Sequence, residues 1–375
     1  DVCSSDLKPY LTGKELVYIE DAVKKGKISG NGYYTQLCQD FFENKYGFHK
    51  CLLTTSCTDA LEMAAILINI QEGDEVIVPS YTFVSTANAF VLRGAKVVFA
   101  DSRTDHPGID EDKIESLITP KTKAIVPVHY AGVACDMDKI MDLATKYNLF
   151  VIEDAAQAID SFYTGKDGVQ RPLGSIGHLA AFSFHETKNI ISGEGGMLAI
   201  NDSQFTERAE IIWEKGTNRS AFFRGEADKY GWVDIGSSFL PSEIIAAFLW
   251  AQLENLPNIQ QVRIAHWEHY YAKLQSWAVE NEIQLPLIPS YATNNGHMFY
   301  IVCENLAQRT AIIEKLKSKG ILAVFHYLSL HTSGYFKENY QGNDLLLSDK
   351  YSDRVLRLPL FYGVAVWQVV KELTK

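Results

Sequence analysis

Behind Thr12-Gly13-Lys14-Glu15, a run of capping-box form, the apolar positions Leu16, Ile19 and Val23 recur at helical spacing until Gly26. A second helix is predicted from Tyr34 to Tyr46, where Gly47 stops it. The period then changes, and short unbroken apolar runs alternate with amphipathic ones. These are strand-like Cys51-Leu52-Leu53, a helix from Thr58, strand Glu75-Val76-Ile77-Val78, a helix through Phe90 to Gly94, and strand Lys96-Val97-Val98-Phe99. A helix near Asp110 to Leu117, strand Ala124 to Val128, helix Met137 to Tyr147 and strand Leu149 to Ile152 continue the series. Strands without polar alternation are buried on both faces. The order therefore predicts an α/β fold, with a mostly parallel sheet covered by helices and ligand chemistry at the carboxyl ends of its strands.

Strands Leu179 to Phe184 and Met197 to Ile200 flank a Gly-rich turn, and a helix from Phe205 to Lys215 ends at Gly216. A stretch mixing Gly, aromatic and charged residues runs to Ser242. From Glu243 a helical pattern extends unbroken to about Ala278, and strand Met298 to Cys303, helix Ala307 to Lys319 and strand Ile321 to Phe325 predict a small α+β unit. The domain boundary is expected inside the long helix, giving a large unit over 8–255 and a small C-terminal one over 256–375. The segment Asp1 to Leu7 lacks an initiating Met and matches one frame of a sequencing adapter, so it is expected to be a non-native scar.

Composition narrows the class. Of the 375 residues, 47% are apolar and 22% charged, values of a globular protein rather than a disordered or fibrous one. The net charge of −11 argues against nucleic acid as the main partner, while allowing a local cationic patch for a small anion. The richest apolar stretch, Ala64 to Ile70, is far short of the ~18–20 residues of a membrane span. With no signal-peptide core either, a cytoplasmic location without a membrane partner is expected. Six scattered cysteines contain no C-x-x-C pair, so they read as reduced thiols, with no metal site.

Three segments could carry chemistry. Glu153-Asp154-Ala155-Ala156-Gln157 follows a strand directly, where an acid binds a metal, caps a helix or holds a protonated ring nitrogen. Lys188 lies in Ser183-Phe184-His185-Glu186-Thr187-Lys188-Asn189 ahead of Gly193-Glu194-Gly195-Gly196, as a reactive amine or a solvated loop residue. Thr54-Thr55-Ser56-Cys57-Thr58 is a strand-to-helix junction, suited to an anion or to simple capping. Pyridoxal phosphate needs one of each: a lysine for covalent attachment, an acid for the pyridinium nitrogen and a helix N-terminus for the phosphate. It also takes an aromatic ring against its face, and Phe83 follows the next strand. A dinucleotide-dependent dehydrogenase would want G-x-G-x-x-G after the first strand, and none is there.

The runs Pro79 to Ala89, Pro127-Val128-His129-Tyr130-Ala131-Gly132, Ser183 to Asn189 and Lys215-Gly216-Thr217-Asn218-Arg219-Ser220 resemble the DegT/DnrJ/EryC1/StrS sugar aminotransferases, fold type I pyridoxal phosphate enzymes. The resemblance covers the chain from about Lys8 to its end. Within the family the motifs are most similar to transaminases that aminate dTDP-4-keto-6-deoxyglucose for enterobacterial common antigen. It implies Lys188 as the cofactor lysine and proton shuttle, Asp154 as partner of the pyridinium nitrogen, and Gln157 on the phenolic oxygen. It further implies Phe83 stacked on the ring, with Cys57 (through its amide), Thr58 and Ser183 on the phosphate. Two positions depart from the family: Cys57 stands where many relatives have Gly, and Ser238 where they place an Asn that reaches the neighbouring subunit's phosphate.

The implied substrates are L-glutamate and a nucleotide-linked 4-keto-6-deoxy sugar. Lys215, Arg219, Arg224 and Lys229 are candidates for its pyrophosphate, with a solvated loop as the other possibility, and His326, Tyr327 and His331 match a motif near the sugar. A structural role is expected for His185. Related dehydratases carry a histidine at the position of Lys188, so the lysine favours transamination. The resemblance favours the 4-amino-4,6-dideoxygalactose product over the gluco epimer, and implies a homodimer with active sites between subunits. A non-catalytic pyridoxal-phosphate-binding regulator is the alternative of another class.

Overall fold

The computed structural model describes residues 7–338 and 340–375. The expected scar lies outside them except for Leu7. Helices α1 (Glu15–Lys24) and α2 (Tyr33–Tyr46) precede β1 (Lys50–Thr54), α3 (Cys57–Leu67), β2 (Glu75–Pro79), α4 (Val84–Val91) and β3 (Lys96–Ala100). Then come α5 (Glu111–Ile114), β4 (Thr122–Ile125), α6 (Met137–Tyr147), β5 (Phe150–Asp154), a hairpin of β6 (Phe162–Thr164) and β7 (Gln170–Pro172), β8 (Leu179–Ser183), β9 (Gly196–Ile200), α7 (Thr206–Trp213) and α8 (Arg219–Phe223).

Seven strands form one sheet in the order β1-β9-β8-β5-β4-β2-β3. All pairs are parallel except those of β9, which runs against both β1 and β8. The unbroken apolar runs divide by strand alternation between two cores. Leu53, Ile77, Ile125, Val151 and Phe182 pack on one side with Phe42 of α2, Ile140 of α6 and later Leu249. Leu52, Val76, Val78, Ala124, Ile152 and Leu198 pack on the other with Leu61 of α3, Phe90 of α4 and Trp213 of α7. Both faces are covered, so no polar alternation remains to be seen along the strands.

The helix expected to run unbroken from Glu243 to Ala278 is two helices, α9 (Glu243–Glu254) and α10 (Leu256–Glu280). Asn255 between them leaves helical geometry, and Pro257 in the first turn of α10 has no N–H to continue the ladder. Beyond it, β10 (Phe299–Val302), α11 (Leu306–Lys317), β11 (Val324–Phe325), α12 (Leu346–Arg354), β12 (Val355–Leu358) and α13 (Val366–Thr374) build an antiparallel sheet ordered β10-β12-β11 with its own apolar cluster. Its central strand β12 was not expected, and the strand expected over Ile321 to Phe325 shrinks to Val324 and Phe325.

The capping box before α1 forms by half. The Glu15 carboxylate accepts the N–H groups of Thr12 at 2.7 Å and Gly13 at 2.9 Å, but the Thr12 hydroxyl accepts from Lys14, and the helix starts at Glu15. Of the apolar stripe on α1, Ile19 packs against the core, whereas Leu16 is 78% exposed and Val23 54%. α2 begins at Gly32 without a side-chain cap of its own, and Glu243 from α9 supplies one. The buried Glu243 carboxylate accepts Gly32 N–H at 2.9 Å, Tyr34 N–H at 2.7 Å and Thr35 N–H at 3.2 Å. The five described cysteines are unpaired thiols, and no helix among the described residues is long and apolar enough to cross a membrane.

Candidate active site

β5 ends in two carboxylates with different fates. Glu153 turns into the core, where Gly174, Ile176 and Gly177 N–H groups and the His129 ring, at 2.8 Å, surround it. It is a structural acid, satisfied on both oxygens. Asp154 turns to the sheet's carboxyl edge, where Oδ2 accepts the Thr86 hydroxyl at 2.7 Å and Oδ1 the Ala156 N–H at 3.2 Å. Burial pushes its carboxyl above the ordinary range, and those two hydrogen bonds and the charge of Lys188 pull the other way.

Lys188 lies in the wide loop that joins β8 to β9, which pair Ser183 with Gly196. Hydrogen bonds from Glu186 N–H to Gly193 and from Lys188 N–H to His185 shape the loop. Its far side is anchored by Asn189, which donates to Gln260 at 2.8 Å and to the Asn295 carbonyl at 2.9 Å, and accepts from His297 Nδ1 at 2.8 Å. Because the two Nδ2 donations orient the Asn189 amide with its oxygen, an acceptor, toward His297, the His297 proton sits on Nδ1. Burial lowers the proton affinity of both Lys188 and His297.

The N-terminus of α3 forms the third wall. Ser56 caps it by accepting the Asp59 N–H at 3.0 Å, which leaves the first-turn amides of Cys57 and Thr58 open. The Thr58 hydroxyl meets Ser85 of α4 at 2.8 Å, so two helix starts converge. Gly196 is required here: a Cβ on it would lie 2.3 Å from the Ser56 carbonyl carbon and 2.4 Å from Cys57 N.

The fourth wall comes from distant chain. Tyr327 holds φ +52°, strained for a bulky residue, and its hydroxyl accepts from Gln157 Nε2 at 2.9 Å while Gln157 Oε1 accepts the Ala131 N–H. His326 is stacked on Tyr327 and bonded to the Tyr130 hydroxyl at 2.7 Å. Phe83, 55% exposed, flanks the opening 6.1 Å from the Tyr327 ring.

One cavity of about 510 Å³ thus gathers Cys57, Thr58, Phe83, Asp154, Gln157, Ser183, Lys188, His326 and Tyr327. His331 is not in its wall. It is buried behind, bonded to the Ser80 hydroxyl at 2.7 Å. Arg219 and Arg224 line a separate hollow of about 460 Å³, together with Lys27 and Lys50. There Arg224 pairs with Glu210 at 2.8 Å and Arg219 lies 4.0 Å from Glu214. Lys215, Lys229 and Ser238 are exposed and reach neither space within one chain. Sequence reasoning assigned no role to Ser85, His297 and Arg357, which also line the cavity, as does Ser56 from the predicted junction. Ser85 stood within the run Pro79 to Ala89 as a hydroxyl opening a helix. His297 and Arg357 gave no signal, because folding alone brings them from the segment before β10 and from β12.

The donor set fits pyridoxal phosphate, with an amine of lowered proton affinity, a buried acid, open helix amides for a phosphate and an aromatic ring in one cavity. Among the described residues no three His, Cys, Asp or Glu side chains are grouped to hold a metal. A family model described as the DegT/DnrJ/EryC1/StrS aminotransferase family matches residues 9–373. The chain is 32% identical over 365 residues to "Uncharacterized protein MJ1066" of Methanocaldococcus jannaschii, covering 94% of this chain and 92% of that one. It superposes on the aminotransferase from Psychrobacter cryohalolentis with a TM-score of 0.90 at 26% identity, over 98% and 97% of the two chains. Against S. venezuelae DesV in complex with a ketimine intermediate, the values are 0.87 and 26%, over 98% of each chain. The chain therefore belongs to the DegT/DnrJ/EryC1/StrS aminotransferase family, as a fold type I sugar aminotransferase whose cofactor is pyridoxal phosphate.

Proposed function

We propose that this sugar aminotransferase converts dTDP-4-dehydro-6-deoxy-D-glucose and L-glutamate to dTDP-4-amino-4,6-dideoxy-D-galactose and 2-oxoglutarate, in the cytoplasm, for a surface polysaccharide such as enterobacterial common antigen or O-antigen. The observation that carries the transamination is the meeting of Lys188, Asp154 and the α3 amides in one cavity. The sugar and nucleotide rest on the motifs from Pro79 to Ala89 and Lys215 to Ser220.

When bound, pyridoxal phosphate supplies the electron sink through which an amino group passes between carbon skeletons. Lys188 would attach it covalently and then move the proton at the reacting carbon. Burial lowers the proton affinity of its amine, which favours the neutral, nucleophilic form. Asp154 would hold the proton on the ring nitrogen. The amides of Cys57 and Thr58, with the Thr58 and Ser183 hydroxyls, would bind the phosphate. Gln157, with one Nε2 hydrogen beyond Tyr327, would donate to the phenolic oxygen, and Phe83 would cover the ring face. His326 and Tyr327 would orient the sugar, while His331 anchors their segment to Ser80.

Lys215, Arg219, Arg224 and Lys229 belong to the same proposal as the pyrophosphate region, and Ser238 as a phosphate contact, both acting across a homodimer. Exposed Leu11, Leu16, Val17 and Val23 on and beside α1 support a paired face. The division at 255/256 is likewise proposed, supported by the helix break at Asn255.

Incubation with pyridoxal phosphate, L-glutamate and dTDP-4-keto-6-deoxyglucose, followed by NMR coupling constants at C4, tests the reading. An axial amine supports it and an equatorial amine replaces the product with the gluco epimer. No amino sugar despite bound cofactor overturns the substrate and product proposed here and revives the non-catalytic binder as the rival reading.

A further inference from the structure

Thr86 does not line the cavity, yet it makes the shorter of the two hydrogen bonds that reach the Asp154 carboxylate. It sits in the first turn of α4, fully buried. At a helix start there is no preceding turn whose carbonyl could take the hydroxyl proton. Thr86 instead sends it across to Oδ2 of Asp154, in a strand 68 residues further along the chain. An ionised carboxylate can only accept, so the Thr86 proton is committed, and the 2.9 Å contact between the Thr82 and Thr86 hydroxyls is donated by Thr82. The order Thr82 to Thr86 to Asp154 is thereby fixed. Both threonines are buried; Thr82 borders the cavity, while Thr86 lies behind it.

We infer that Thr86, backed by Thr82, is a positioning residue that locks the Asp154 carboxylate in one orientation, with its remaining lone pairs directed at the ring nitrogen of the cofactor. Each carboxylate oxygen has one protein donor, Thr86 on Oδ2 and Ala156 on Oδ1, and keeps one lone pair for the cavity side. Of the effects that oppose the burial penalty on Asp154, the Thr86 hydrogen bond is the largest. Removing it leaves the carboxylate free to rotate and less able to stay charged in its apolar surroundings.

The inference rests on the reading of Asp154 as the pyridinium partner, and titration of apoprotein with pyridoxal phosphate separates the two. Wild-type protein that fails to take up the cofactor overturns the reading itself. On a binding wild type, Thr86→Val, nearly isosteric, is expected to weaken cofactor affinity about tenfold or more, the effect of one hydrogen bond to a charged acceptor. Thr86→Ser should stay within about threefold of wild type, and Thr82→Val should fall between. In the glutamate half-reaction Thr86→Val should lower kcat with little change in KM, as expected for a residue acting on the cofactor rather than on substrate binding. Equal cofactor affinity in Thr86→Val and wild type overturns the inference. So does a Thr86→Ser variant as weak as Thr86→Val, with urea midpoints lowered alike in both, because packing alone then explains the position.

Discussion

Replacing Gly196 by alanine tests whether the start of α3 is the anion cradle. The added Cβ would stand 2.3 Å from the Ser56 carbonyl carbon and 2.4 Å from Cys57 N, where carbon contacts are optimal at about 3.5–4.0 Å. The two backbones must part by about 1 Å or more. β9 cannot yield easily, since Gly196 is paired with Thr54 on one side and Ser183 on the other. The displacement therefore falls on the first turn of α3. Overpacking of this kind costs about 1–3 kcal/mol, so the urea midpoint of the apoprotein should fall. The Cys57 and Thr58 amides move with the turn, and loss of one charge-assisted hydrogen bond to a phosphate, about 1.5–3 kcal/mol, weakens pyridoxal phosphate binding at least tenfold. Gly231→Ala is the control, because a Cβ there meets nothing within 4 Å. A Gly196→Ala protein that matches this control in both urea midpoint and cofactor affinity would refute the cradle.

Three further outcomes are expected. In Lys188→Ala, borohydride treatment after cofactor binding should leave no cofactor mass on the protein, whereas wild type should carry it on the Lys188 peptide; labelling of another lysine would remove Lys188 from its role. Asp154 titrates above its unfolded value, so its contribution favours folding only at low pH and is lost as pH rises through the raised value. Apo Asp154→Asn should thus match or exceed wild type in urea stability at pH 7, with the difference shrinking in acid toward about pH 4, where a free Asp titrates, while cofactor affinity drops; a gap that widens in acid contradicts this. Glu243→Gln turns an amide NH2 toward the donors that start α2, and should lower stability by about 2–3 kcal/mol in urea denaturation with little change in cofactor affinity.

The sequence alone determined most of the sheet's strands and most of the residues that line the cavity, for a physical reason. Strands buried on both faces leave unbroken apolar runs such as Val76-Ile77-Val78. Residues at strand ends such as Asp154, or at a helix start such as Thr58, are placed by the element they terminate. The motif around Lys188 was legible because the hairpin between β8 and β9 is local. Tertiary structure alone decided what comes from far along the chain. The break at Asn255 was passed over because a helical apolar pattern continues across it, although Pro257 marks it, and β12 with Arg357 was missed because four residues carry little periodicity. Leu16 and Val23 have the spacing of a buried face, yet α1 packs on the core through Tyr18, Ile19 and Ala22 and leaves both exposed. Spacing can show that a stripe is apolar, but not which surface covers it. The same limit applies to Thr86: nothing in the sequence marks it from other helical threonines, and only the approach of α4 to the end of β5 turns its hydroxyl onto Asp154.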